Sequence, residues 1–345
     1  MNSGKTTARV MRVETEKFPL REPFHITGYT LVEVTAVTVT LGSHGHMGRG
    51  EASGVYYRKN DDVPGMVKQI EAVRAQIEGG IDRESLQRLL PAGGARNAVD
   101  CAMWELEAKL AGRAVWQVAG LDRPRALLTT FTVGAGAPEK MAADARAHVR
   151  ARAIKVKLTG RPEDAARIRA VRAARPDVWL GIDANQGFSR SFLEALMPVL
   201  VETRVALIEQ PFAIGQEAEL EGLHSPIQVA ADESVQGIAD LPGLVGRFNV
   251  VNIKLDKCGG LTEGLAMARA AAQLGLRVMV GNMGGTSLAM APAVHLGQYC
   301  DIVDLDGPVF LSCDRSPSVI YDQGSILASE EVWGGLASGK VAEIS

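Results

Sequence analysis

Cysteine is scarce in this chain. Four residues in 345 (Cys101, Cys258, Cys300 and Cys313) lie far apart, with no CxxC pair among them. Reduced, buried thiols of a cytoplasmic protein fit that pattern better than a disulfide framework. No apolar run approaches the length that spans a bilayer, and the opening MNSGKTTARVMRVETEKF lacks the apolar stretch of a secretory signal. Neither sign of charge dominates: 37 basic against 40 acidic residues give a formal net charge of −3. Nucleic acid and an anionic membrane surface are therefore not expected as partners. What is present is ordinary for a soluble globular chain, with 46% hydrophobic and 22% charged residues. A chain this long can bury a large core without covalent staples.

From about residue 126 onward, short apolar runs alternate with helical patterns. Strands are expected over 127–133, 153–158, 178–185, 206–211, 227–234, 250–257, 277–283 and 302–308. Between them, Phe192, Leu193, Leu196, Val199 and Leu200 form one apolar stripe at helical spacing, and Ala165, Ile168 and Val171 a weaker one. The helix after Leu261 should end at Gly275. Eight strands joined by helices read as a parallel sheet of the α/β class, and eight is the number that closes into a barrel. No full helix pattern follows the last strand, so a (β/α)7β barrel, a modified TIM barrel, is expected over 126–308. An open doubly wound sheet is the alternative. Residues 1–125 differ, with antiparallel strands expected near 10–18, 31–41 and 48–52, a turn at Gly45, and helices over about 63–78 and 95–110. They read as an α+β N-terminal capping domain, against which the segment 309–345 should pack.

Ionisable residues recur near the C-terminal ends of the barrel strands: Lys155 and Lys157 in the second, Asp183 in the third, Glu209 in the fourth, Asp232 in the fifth, Lys254 in the sixth, Asp304 and Asp306 in the eighth. From Lys157 to Lys254 the successive gaps are 26, 26, 23 and 22 residues, one βα unit each time. The side chains should therefore converge at the face where barrel enzymes hold their active sites. Taken singly, each has a plainer explanation. A KVK segment is more often an exposed strand face, a lone carboxylate can be a helix cap, and Asp232 precedes Ser234 near a turn. Alternation, however, turns Lys155 and Lys157 inward together while Ile154, Val156 and Leu158 face the helices.

Three carboxylates on adjacent strand ends offer hard oxygen ligands suited to Mg²⁺. A substrate carboxylate bound there could delocalise charge as its α-proton leaves, with Lys155 adding positive charge. Lys157 and Lys254, on different sides, could each serve as base or conjugate acid. Two bases facing one carbon are what inversion requires.

The runs AIKVKL, IDANQGF, LIEQPF, ADES and NIKLDKCGG, in that order, resemble the muconate-lactonising branch of the enolase superfamily. The resemblance covers nearly the whole chain, including RNAVDCAMWELEAKLAG in the capping domain. It implies Asp183, Glu209 and Asp232 as metal ligands, Lys157 and Lys254 as the acid/base pair, and Lys155 and Asn185 as supporting residues, with Glu233 ordering Lys254.

The segment VDLDGP narrows the reaction. Asp304 and Asp306 would form an anionic pocket, either tied to an Arg or Lys or free to take a substrate ammonium. Dipeptide epimerases of the family carry such a DxD for the N-terminal amine, and their best known activity is L-Ala-D/L-Glu epimerisation. By the same analogy Thr132, Asn282, Met283 and Gly284 would line the site. The expected activity is therefore inversion of the α-carbon of the C-terminal residue of L-Ala-Glu or another L-Ala-Xaa dipeptide, an isomerase reaction using Mg²⁺. A small-molecule substrate is the expected partner, and assembly into a homo-oligomer stays open. One departure concerns PFHITGYT, where the family's Ala-Glu enzymes often place an arginine. Here Thr27, Gly28 and Tyr29 stand instead, with Arg21 and Arg58 nearby. The rivals are N-acylamino-acid racemase, o-succinylbenzoate synthase, muconate cycloisomerase, an acid-sugar or hydroxy-acid dehydratase, and a degenerate barrel that only binds peptides. Gly4-Lys5-Thr6 resembles a phosphate loop but lacks the preceding strand and glycine. His44 and His46 read as a solvated hairpin tip, and Gly259-Gly260 as a tight turn that could only secondarily serve as an anion-binding helix start.

Overall fold

The computed structural model describes residues 9–26 and 29–336. Alternating apolar residues build a three-stranded antiparallel sheet from β1 (Val10–Ile26), β2 (Tyr29–Ser43) and β3 (His46–Ala52). The strands outrun the expected 10–18 and 31–41. β1 is an edge strand, so Pro19 and Pro23 are absorbed in a bulge between Pro19 and Phe24, after which pairing resumes. His44 and Gly45, both left-handed, form the two-residue turn between β2 and β3.

Asp62 caps α1 (Val63–Ala72) by accepting the Gly65 N–H at 3.2 Å. The single helix expected over 63–78 is interrupted at Val73, which leaves helical geometry before α2 (Arg74–Glu78). α3 (Arg83–Leu89) follows, then α4 (Gly94–Leu110) and the short α5 (Val115–Val118). Fourteen residues of α4 are buried because it faces two cores. Ala98, Ala102 and Leu106 join Val37, Val39 and Met66 in the cap, while Cys101, Trp104 and Ala108 join the core outside the barrel.

The barrel sheet runs in sequence order through β5 (Thr130–Val133), β6 (Ala153–Lys157), β7 (Trp179–Asp183), β8 (Leu207–Glu209), β9 (Gln228–Ala231), β10 (Val250–Lys254), β11 (Arg277–Gly281) and β12 (Ile302–Val303). All neighbouring pairs are parallel. The first expected strand is split: Leu127–Leu128 forms a separate β4, and β5 begins at Thr130. The eighth is cut short at Val303, so Asp304 and Asp306 lie beyond it. Side chains replace the ladder at this seam. The Leu305 N–H donates to Thr129 Oγ1 at 2.9 Å, the Thr132 N–H to Asp306 Oδ2 at 2.6 Å, and the Thr130 hydroxyl to Asp304. The barrel is thus nearly closed.

Outside lie α6 (Pro138–Ala147), α7 (Asp164–Ala174), α8 (Arg190–Glu202), α9 (Leu241–Leu244), α10 (Leu255–Cys258), α11 (Leu261–Gln273) and α12 (Ser287–Gly297). Among the described residues the sole helical element after β12 is the 3-10 turn Gly307–Phe310, in keeping with the expected (β/α)7β barrel. Leu193, Leu196 and Leu200 of α8, and Ile168 and Val171 of α7, are buried against the strands' outer faces. Inside, Leu207, Ala230, Val250 and Met279 form an apolar floor. Glu209 and Asp232 stand above it, one pleat period beyond Leu207 and Ala230, and Lys254 lies two periods beyond Val250.

The last segment packs in two places. β13 (Ile320–Asp322) and β14 (Ser325–Leu327) extend an antiparallel sheet from β4. Against the cap, the Ser312 N–H donates to Pro19 O at 2.9 Å and Trp333 Nε1 to Arg49 O at 2.8 Å. No helix among the described residues is long and apolar enough to cross a membrane.

Candidate active site

The strand register brings the charged residues together as their spacing predicts. Lys157 lies beside Asp183 and Asp183 beside Glu209 across neighbouring parallel strands. Asp232 and Glu233 follow the end of β9, and Lys254 ends β10. All are buried. Lys157 Nζ donates to Asp183 Oδ2 at 2.6 Å and Lys254 Nζ to Asp232 Oδ2 at 2.7 Å. Lys155 Nζ is paired with Asp304 and lies 3.2 Å from Glu209 Oε2. β6 and β10 are four strands apart in a ring of eight, so Lys157 and Lys254 face each other across the barrel.

Burial and charge pull these groups in different directions. Burial works against the ammonium of Lys155, yet Asp304, Glu209 and Asp183 outweigh it and hold its pKa well above the usual lysine value. Burial likewise opposes the charge on Lys254, and Asp232 and Glu209 prevail. Burial, reinforced by Asp183, pushes Glu209 up to about 7. Burial also pushes Glu233 up to about 7, with Asp232 adding to it. Burial and the neighbouring Asp304 push Asp306 up to about 6.

Asp183, Glu209 and Asp232 each offer a carboxylate oxygen, and these atoms lie within 4.8 Å of one another. Glu209 Oε2 is buried and accepts no hydrogen bond among the described residues. Three hard anionic oxygens, one short of a hydrogen-bond donor, fit a divalent cation such as Mg²⁺.

The cavity above these residues encloses about 790 Å³, open space at its mouth included. Its barrel side includes Thr132, Lys155, Lys157, Asn185, Asp232, Glu233, Lys254, Asn282, Met283, Gly284, Asp304 and Asp306, so most of the residues singled out from sequence meet in one place. Asp183 and Glu209 lie beneath, in contact with the lysines. Asn282 Nδ2 donates to Asp304 O at 2.7 Å, and Asn282 Oδ1 accepts the Gly284 N–H at 2.8 Å. Glu233 accepts a hydrogen bond from Asn185 Nδ2 at 3.4 Å and acts on Lys254 through charge.

Several residues were invisible to the sequence reading. Lys257 is wholly buried and donates to both Oδ1 and the carbonyl of Asp232 at 2.5 Å. Asn252 Nδ2 donates to Glu209 Oε1 at 2.6 Å. Gln210, in a left-handed conformation, accepts the N–H groups of Asp232 and Ser234 at 2.9 and 3.1 Å and so fixes the turn that aims Asp232. The signal for all three lay inside EQPF and NIKLDKCGG, but neutral amides and a lysine on a short helix carry no pattern that sets them apart from surface residues. The cap contributes Leu20, Phe24, Leu31, Val34, Tyr56 and Tyr57, with Phe310 beside them. Thr27 and Gly28 lie outside the described residues. The two arginines are committed elsewhere: Arg21 Nε donates to Leu311 O at 2.8 Å, and Arg58 donates to Lys257 O at 3.0 Å and to Gln236.

The Gly259-Gly260 turn packs against α4. A Cβ on Gly259 would lie 2.3 Å from Arg96 Nε, and one on Gly260 2.5 Å from Asp100 Oδ2. The start of α11 does receive an anion, and it is the cap's own: Asp100 accepts the Thr262 N–H at 2.9 Å and its hydroxyl at 2.6 Å.

Comparison with known proteins agrees with this geometry. Residues 7–120 match the mandelate racemase / muconate lactonizing enzyme N-terminal domain, and residues 140–305 match the enolase C-terminal domain-like family. The L-Ala-D/L-Glu epimerase of Escherichia coli K12 is 38% identical over 320 residues, covering 92% of this chain and 99% of that protein. An enolase family member from Agrobacterium tumefaciens, solved with sodium and L-Ala-L-Glu, superposes with a TM-score of 0.91 at 40% identity, covering 94% of this chain and all of that one. A Methylococcus capsulatus dipeptide epimerase, solved with Mg and L-Arg-D-Lys, superposes with a TM-score of 0.87 at 29% identity, over 94% of this chain and 97% of that one.

Proposed function

The chain belongs to the enolase superfamily, in its mandelate racemase and muconate lactonizing enzyme group, and from that premise we propose that it is a Mg²⁺-dependent dipeptide epimerase, inverting the α-carbon of the C-terminal residue. The observation that carries this reading is a cavity with lysines on opposite walls, a carboxylate trio beneath and an acidic pair at the seam.

Asp183, Glu209 and Asp232 would hold Mg²⁺, whose positive charge would favour the negative charge that builds on the substrate carboxylate as the α-proton leaves. Lys157 and Lys254 reach the α-carbon from opposite sides. One takes the proton as free amine while the other, as ammonium, returns one to the opposite face. Exchanging these roles runs the reaction backwards. Lys155 stays cationic because Asp304 and Glu209 hold its proton, so it contributes fixed charge rather than proton transfer. Lys257 and Gln210 hold Asp232 in place, and Asn185 and Glu233 border the metal side.

Asp304 is itself tied to Lys155, so Asp306 is the carboxyl left to answer a substrate ammonium, with the Thr132 N–H holding Asp306 and Asn282 holding the Asp304 carbonyl. An N-acyl substrate has no ammonium to satisfy Asp306. Met283 and Gly284 line the wall beside them. We further take residues 1–125 with 309–345 as the substrate-covering part and 126–308 as the chemical part. The cytoplasm is the compartment we assign, where the four free cysteines stay reduced.

The test is incubation of L-Ala-Xaa dipeptides with enzyme and Mg²⁺ in D₂O, read by mass spectrometry. Deuterium should enter at the C-terminal residue's α-carbon. Exchange only in N-acylamino acids or hydroxy acids would discard the role given to Asp304 and Asp306.

A further inference from the structure

Resting on the dipeptide reading above, we propose that the cap's wall over the barrel mouth is a subsite for an apolar side chain. The preferred substrates are then dipeptides whose C-terminal residue is of the leucine or phenylalanine class rather than glutamate. The wall comes from the β1–β2 hairpin. Phe24 and Leu31 are direct cross-strand partners, and the Phe24 ring leans on Phe310 with centroids 4.9 Å apart. Leu20 and Val34 extend the same surface, and Val34 comes close to Gly284 at the end of β11. These residues line the cavity that holds Lys157 and Lys254, so a side chain on the reacting carbon has this wall within reach.

Charge points the same way. Among the described residues the cations that line the cavity, Lys155, Lys157 and Lys254, are each engaged by a carboxylate of the barrel. Arg21 and Arg58 do not line it and are bonded to backbone carbonyls. Residues 22–35 contain neither lysine nor arginine. A glutamate γ-carboxylate placed against this wall would lose water without gaining a cation, and it would face an already acidic site. A leucine or phenylalanine side chain in the same place gains from leaving water.

The experiment measures kcat/KM for α-hydrogen exchange by proton NMR in D₂O, with Mg²⁺-loaded enzyme and L-Ala-L-Leu, L-Ala-L-Phe, L-Ala-L-Ala and L-Ala-L-Glu. The expected result is a preference of about tenfold or more for leucine or phenylalanine over glutamate. Leu31→Arg, which adds a cation to the wall, should move that ratio toward glutamate by about tenfold. Phe24→Ala should lower kcat/KM for L-Ala-L-Phe more than for L-Ala-L-Ala. Glutamate turned over as well as leucine by the unaltered enzyme overturns the subsite and leaves the epimerase reading standing. So does a leucine-to-glutamate ratio that neither variant moves. Exchange in no dipeptide overturns both.

Discussion

Lys157 and Lys254 are each bonded to one carboxylate of the Asp183, Glu209 and Asp232 trio, so their removal tests proton transfer and trio together. Lys157→Ala and Lys254→Ala should each lower epimerisation by about 10²–10⁴-fold. Because each lysine serves one face, each variant should retain more exchange with one epimer than with the other, which NMR in D₂O will separate. Asp256 makes a different point. Its Oδ1 accepts the Ser53 and Gly54 N–H groups, both at 3.1 Å, tying the cap loop before Tyr56 to the helix after Lys254. Burial pushes this carboxyl up to about 7, above the ~3.9 of an unfolded chain. Between these values the folded state holds the extra proton, so the stability this group contributes is greatest near pH 4 and is lost as pH rises to 7. Asp256→Asn keeps an acceptor oxygen and removes the titration. The stability of the unaltered protein minus that of the variant should therefore fall across that window, by at most ~1.4 kcal/mol per pH unit; urea melts at several pH values will read the slope. At this scale the convergence of the three carboxylates and the lysines was legible because charge at regular βα spacing is rare without a purpose. Asn252, Gln210 and Lys257 were not, since their roles appear only when the strand ends are laid side by side.

Among elements, α4 shows how packing overrides pattern. Its sequence reads as a helix over about 95–110, yet its polar residues Arg96, Asn97, Asp100 and Glu105 are buried as well, because the barrel covers Arg96 and Asp100 while β3 and the C-terminal segment cover Asn97 and Glu105. Asp100 caps α11 from across the domain boundary. Asp100→Ala leaves the Thr262 N–H and hydroxyl without that acceptor and should destabilise the protein by about 1–3 kcal/mol, read as a lower midpoint in chemical denaturation. The eighth strand illustrates the opposite limit. Its alternation from Ile302 to Asp306 looks like a strand, but the partner edge offers Thr129 and Thr130 hydroxyls, and these take the bonds that a ladder would use. Nothing in the periodicity distinguishes those cases. The β13–β14 hairpin was also unread, since three-residue strands are too short to show a period.

For the whole molecule, the trio's mutual repulsion, only partly answered by the neighbouring lysines, is an obstacle to folding that a bound cation would relieve. Saturating Mg²⁺ should raise the melting temperature, with about 2.7 kcal/mol expected at a hundredfold excess over Kd. Chelation should reverse the shift, and Asp183→Asn should abolish most of it; differential scanning fluorimetry suffices. The two-part architecture was legible because the strand-and-helix rhythm changes near residue 126, whereas the docking of the parts was not, since it depends on contacts between residues far apart in sequence.

One such contact bears on how the protein is made. Glu51 of β3 is fully buried, and its carboxylate is satisfied by the Thr286 N–H and hydroxyl and by Arg315 Nε at 2.7 Å, residues 235 and 264 positions later. Arg315 also takes Glu16, 299 positions earlier. A ribosome adding about 5–20 residues per second needs roughly 15–60 s to reach that arginine after the first of these glutamates. Through that interval the nascent cap holds acids whose cation has not been synthesised, so its strands can pair early but cannot bury Glu51 with its charge answered until Arg315 has been made.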